Sequence, residues 1–240
     1  MRKIAVILTF LMAFSLAGCG GQEKNNGTNV GNESPVSNHD SSQRDSAVKE
    51  QSSSDGKKLI LYYDYSENMG DTSGMDADAI TSASLAGESP KGVEKNNLLV
   101  IVDEIKEKTG ADVFSVRQKE TFDPDYDKMV MPAQDDQDEN RQFTFVEDIN
   151  DLSQYDLIYI GMPVWWAKLP QPMKQFVENH DFSGKKIIPF GIHRGSQFGQ
   201  MIDQLKELAD GAEIIEDGYT VSATTANDKV REEVDARLGK

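Results

Sequence analysis

Residues 155–166 read YDLIYIGMPVWW, and no other stretch constrains the fold as tightly. An apolar run of this length, bounded by turn residues, is the pattern of a strand buried on both faces. Strands of that kind belong to parallel sheets covered by helices. The chain's two tryptophans, Trp165 and Trp166, stand side by side just past the run. They would sit at the rim of the sheet, where open α/β folds bind ligands. Two readings follow from the motif alone. The pair forms a wall for a flat conjugated ring, or it plugs the edge of the core.

The neighbouring segments extend the pattern. Residues 167–180 carry Leu169, Met173, Phe176 and Val177 at helical spacing, with prolines only at the start, where a helix tolerates them. Residues 185–191 (KKIIPFG) read as a second buried strand. It runs into His193, Arg194, Gly195, Ser196, Gln197, Phe198 and Gly199, a glycine-punctuated loop that opens a helix over 198–208. Right-handed crossovers would bring this loop and the tryptophan loop to one edge of one sheet. Elsewhere, residues 57–63 and 112–116 read as the first and second strands. Between them lies a helix over 97–109, with Leu98, Ile101, Val102 and Ile105 on one face and Gly110 as its stop. A last strand falls in 213–222, and Val230, Val234 and Leu238 give a narrow stripe on a final helix. Strands alternating with helices predict a parallel sheet with helices on both faces. Two long polar stretches, 64–94 and 119–151, read as loop insertions. The second holds the acidic run Asp135, Asp136, Asp138 and Glu139. It reads as a solvated face, because it lacks the glycine and spacing of a calcium loop; no metal site is expected.

Residues 155–199 resemble the flavodoxin-like family, in the branch with a Gly-x-Pro-x-Trp-Trp segment (161–166), an Asp-Phe-Ser-Gly-Lys turn (181–185) and a His-x-Gly-Ser loop (193–196). The resemblance extends over residues 57–240. It implies an α/β fold with a doubly wound, five-stranded parallel sheet in the order 2-1-3-4-5. FMN would bind at the switch point of that sheet. For the phosphate, the resemblance points to Ser66 and Asn68 after the first strand and to Asn97 at the start of the next helix. For the ring, it points to Pro163, Val164, Trp165 and Trp166. His193, Arg194, Gly195, Ser196 and Gly199 would lie near the ring's pyrimidine edge or the phosphate. Relatives carry Gly-Asn-Thr where this chain reads Asn96, Asn97 and Leu98, glycine at Ala167 and threonine at Ile192. His193 also reads as a structural cap on the following helix. The implied activity is electron transfer, or reduction of small acceptors such as quinones, with the chemistry borne by the flavin and no catalytic side chain. Two alternatives stay open: a binding module of the same fold without flavin, and a cell-wall interaction protein.

The amino-terminal segment stands apart. Arg2 and Lys3 precede a short apolar stretch that ends in Leu16, Ala17, Gly18 and Cys19. Small residues before a lone cysteine look like a lipoprotein cleavage site. Residues 1–18 are therefore expected to leave as a signal peptide, with Cys19 lipidated. As the sole cysteine, Cys19 excludes an intrachain disulfide. Residues 19–56, rich in Ser, Asn, Gly and Gln, hold too few apolar side chains to fold and read as a tether. A lipid-anchored domain at the extracytoplasmic face of the membrane is expected, with a membrane-bound electron donor or quinone as partner. The net charge of −16 argues against nucleic acid.

Overall fold

The computed structural model describes residues 56–76, 80–81 and 91–239. The signal segment, Cys19 and nearly all of the expected tether lie outside the described residues.

Strand β1 (Lys57–Tyr62) leads through a single 3-10 turn at Tyr65–Glu67 and a long connection to helix α1 (Asn97–Thr109). Strand β2 (Asp112–Ser115), helix α2 (Tyr126–Asp138) and strand β3 (Tyr155–Pro163) follow. Next come α3 (Gln171–Glu178), β4 (Lys186–His193), α4 (Met201–Leu208), β5 (Glu213–Ile214), β6 (Tyr219–Ser222) and α5 (Asn227–Leu238). The strands run parallel in the order β2-β1-β3-β4-β5, with β6 also beside β4. This is the expected doubly wound α/β sheet.

Side-chain alternation along the strands divides the core. Leu59 and Leu61 of β1, with Ile158, Ile160 and Met162 of β3, pack against α2, α3 and α4 through Met129, Met173, Phe176, Val177, Met201 and Leu205. Ile60, Tyr62 and Tyr159 face the other way, against Leu98, Ile101 and Ile105 of α1 and Val230 and Val234 of α5. Period-two alternation with both faces apolar is what produces the continuous hydrophobic runs seen in the sequence. Gly161 is required at the sheet centre, because a Cβ there would meet the Phe190 ring at 2.0 Å.

Three expectations need correction. The stretch 119–151 is not simply a loop: it contains α2, with Met129, Ala133 and Asp136 buried. Its acidic run is the helix's last turn, where Arg141 pairs with Asp136 at 3.1 Å. The helix following the tryptophans begins at Gln171 rather than Ala167, because residues 165–168 form a tight turn. The last strand is broken in two. β5 pairs with Lys186 and Ile187, and β6 with residues from Phe190 onward. The break lies opposite Ile188 and Pro189, and a proline has no N–H to give to a ladder. Gly218 passes over this point, where a Cβ would come within 2.1 Å of the Pro189 carbonyl oxygen.

Candidate functional site

The carboxyl ends of β3 and β4 are tied together beyond the strands. Val164 N–H donates to the Ile192 carbonyl at 2.9 Å. The chain then reverses over Trp165–Lys168, closed by Trp165 N to Lys168 O at 3.0 Å and Lys168 N to Trp165 O at 2.8 Å. Both central residues are left-handed, Trp166 at φ 47° and Ala167 at φ 64°. That is the geometry of a type I′ hairpin turn. A left-handed non-glycine residue costs about 1–2 kcal/mol, so the surroundings must hold the turn. Gln200 N–H donates to the Ala167 carbonyl at 2.6 Å. Gly199, itself at φ 54°, lies so close that a Cβ would meet that carbonyl at 2.5 Å. Gly199 therefore acts as the seam between the two loops.

The second loop is ordered by its histidine. His193 Nδ1 accepts from Gly195 N–H at 2.9 Å. Burial lowers the His193 pKa. Both effects favour the neutral ring with its proton on Nε2. His193 does not cap the following helix, whose N-cap is Gln200 without a side-chain bond; it orders its own loop instead.

The two tryptophans divide the roles left open by the sequence. Trp165 sits in an aromatic cluster, with ring centroids 6.0 Å from Tyr63, 6.4 Å from Tyr65 and 5.6 Å from Phe122, all edge-on. Trp166, 6.1 Å away and 39% exposed, stands on the rim. Between the loops lies an open cleft of about 270 Å3, at the small end of ordinary ligand sites, which begin at ~300 Å3. Pro163, Val164, Trp165 and Trp166 line one side; Ile192, His193, Arg194 and Ser196 line the other. Tyr126, Met129 and Val130 of α2 close it from a third direction. Sequence reasoning missed these three. Their spacing, with Ala133, was the available helical signal, obscured by Pro132 and the surrounding acids. Apolar and aromatic walls with a few polar groups at the rim suit a flat conjugated ring.

The expected phosphate residues lie elsewhere. Asn68 is fully buried; its amide donates to the Asp64 and Val116 carbonyls at 2.7 and 3.2 Å and accepts from Gln118 N–H at 2.9 Å. Asn97 is also fully buried. It donates to the carbonyls of Ser222, Ala223 and Thr225 at 3.2, 3.2 and 2.8 Å, and accepts from Asn227 Nδ2 at 2.7 Å. Both asparagines brace the frame. Ser66 gives its N–H (2.8 Å) and its hydroxyl to Asp64 Oδ1.

Asp64, which sequence reasoning passed over, is the centre of this end of the fold. It is fully buried and receives Asn96 Nδ2 on Oδ2 at 2.8 Å. Asn96 Oδ1 in turn caps Leu98 N–H at 2.9 Å. Asn227 Oδ1 takes the N–H groups of Glu94 and Lys95 at 2.7 and 2.9 Å. Burial pushes the Asp64 carboxyl up to about 6, although the hydrogen bonds from Ser66 and Asn96 pull the other way. Nearby Glu67 receives the hydroxyls of Tyr62 (2.9 Å) and Ser115. The cleft lined by the two loops and α2 therefore fits a flavin ring. The donors traced at the β1 end are already committed to acceptors of the chain itself, two of them carboxylates, and do not fit a phosphate dianion.

Comparison with known proteins agrees with the fold. No curated protein matches the sequence significantly. A protein of Bacteroides uniformis ATCC 8492 assigned as a flavoprotein has a similar structure, with a TM-score of 0.53, 18% identity and coverage of 77% of this chain and 99% of its own. A second, from Bacteroides eggerthii DSM 20697, gives a TM-score of 0.50 at 17% identity, over 75% of this chain and 96% of its own. A flavoprotein of Lactobacillus acidophilus NCFM in complex with FMN is 23% identical over 72% of this chain and 97% of its own, with a TM-score of 0.44. The sequence itself matches the flavodoxin family over residues 89–237. With that match and the 2-1-3-4-5 sheet, the chain belongs to the flavodoxin family.

Proposed function

We propose that the protein is an FMN-dependent electron carrier, anchored through Cys19 at the outer face of the membrane, that delivers electrons to small acceptors such as quinones. The cleft between the tryptophan turn and the His193 loop is the observation that carries this reading. It lies at the carboxyl ends of β3 and β4, and membership of the flavodoxin family supports FMN as its occupant. Bound FMN would supply reversible electron uptake. The chain's own contribution is to hold the ring between Trp166 and the His193–Ser196 loop, with Met129 and Val130 limiting water. His193 keeps its proton on Nε2, at the cleft wall. Trp166, exposed on the rim, gives an acceptor a route to the ring edge.

The anchor bears on the electron source, since NAD(P)H is a cytoplasmic reductant. Full-length protein in detergent, loaded with FMN and reduced by dithionite without oxygen, is expected to return its electrons to a soluble quinone such as menadione. NADPH alone is expected to leave the yellow colour unchanged. Rapid unaided reduction by NADPH would overturn the outer-face reading. The committed donors at the β1 end favour a second reading, a flavin-free binding module, for which the protein would stay colourless at any FMN concentration.

A further inference from the structure

We infer that the cleft recognises a flavin by its ring and discriminates little for the 5′-phosphate, so that riboflavin binds about as tightly as FMN. This rests on the flavin reading above and deepens it. A phosphate dianion bound at the β1 end would need several charge-assisted hydrogen bonds, each worth roughly tenfold or more in affinity. Six donors traced at this end among the described residues are Ser66 N–H, Ser66 Oγ, Asn96 Nδ2, Leu98 N–H, Glu94 N–H and Lys95 N–H. Each has an acceptor within the chain.

The acceptor for three of them is the Asp64 carboxylate, which stands as a built-in anion between the turn after β1 and the cap of α1. A second anion would have to break these bonds and approach Asp64, with Glu67 three residues on. Like charges at such range repel by several-fold in affinity even after screening. The side-chain amides of Asn68 and Asn97 add no donor, since they are spent on backbone carbonyls. Leu98 brings no hydroxyl to the helix start. The walls of the cleft itself are largely aromatic and apolar, and a ring gains the same contacts whether or not a phosphate follows it. Arg194, the cation among the residues lining the cleft, lies on the β4 loop and acts electrostatically on the Tyr126 hydroxyl.

The test is a pair of fluorescence titrations of the full-length protein in detergent, one with riboflavin and one with FMN, at neutral pH. Dissociation constants within about fivefold of each other are expected. FMN binding more than about fivefold tighter would overturn the inference while upholding the flavin reading. Binding of neither ligand would overturn the reading itself. One variant probes the cause. Asp64→Ala releases Ser66 and Asn96, and is expected to raise the preference for FMN at least about tenfold. A folded Asp64→Ala protein with an unchanged preference would show that Asp64 is not what excludes the phosphate.

Discussion

Asn97→Ala is expected to cost about 3 kcal/mol of folding stability. The side chain is fully buried and holds four partners: three carbonyls of the segment 222–225 and the amide of Asn227. Alanine leaves a cavity and strips these groups of a partner in a place water does not reach readily. An unmade bond to a buried polar group costs about 1–3 kcal/mol, and some relaxation of the loop keeps the total from being the full sum. Asn227 is joined to the same network, since it also receives Glu94 and Lys95 N–H and donates to Lys95 O at 2.8 Å. The loss should therefore reach the packing of α5 on α1. Urea unfolding of the variant against wild type measures it. A loss below about 1 kcal/mol would contradict the bracing role. Because Asn97 is spent on the frame, flavin affinity of the folded variant should change far less than its stability.

The second large effect is a pH dependence centred on Asp64. Its carboxyl titrates near 6 in the fold, against about 3.9 in an unfolded chain. The folded state thus holds the proton more tightly. The contribution of Asp64 is fully present below about pH 3.9 and is lost as pH rises through about 6. A shift of this size corresponds to about 3 kcal/mol. Asp64→Asn carries no titrating proton and keeps an oxygen for Ser66. The stability of the variant relative to wild type is expected to rise by about 2 kcal/mol between pH 4 and pH 7, then level off. His193 works in the opposite sense: its lowered pKa makes stability fall as pH drops below about 6.5. It is common to both proteins and cancels in the difference. A difference that does not change with pH would mean that Asp64 is ionised throughout.

The sequence was most legible where burial is most complete. β3 and β4 are enclosed on both faces, so their aliphatic runs had one interpretation, and the 97–109 helix ended at Gly110, which adopts φ 65°. Helix α2 was hidden because it buries little: Met129 and Ala133 carry its contact, while Asp and Gln fill the rest and Pro132 interrupts the pattern. The broken edge strand depended on Pro189 in the neighbouring strand, which no reading of 213–222 by itself could reveal. At the site, the motif placed the ring-side residues together. It did not show that the side chains of Asn68 and Asn97 bond within the frame, because residue type does not disclose a partner. The partners of Asn97 lie in residues 222–227, and only the folded chain brings them near. Asp64 was overlooked for a related reason. A carboxylate at the end of a strand reads as surface until Ser66 and Asn96 are seen to close around it.

Titration of FMN into the full-length protein, followed by tryptophan fluorescence, tests the central claim most directly. Trp165 and Trp166 are the chain's two tryptophans, and both line the cleft. A flavin ring seated there must affect nearly all of the indole emission. Saturable quenching is expected, with a dissociation constant of about 10 µM or lower and a bound flavin spectrum shifted from that of free FMN. Unchanged emission and an unshifted spectrum at about 100 µM FMN would contradict the assignment of this cleft as a flavin site.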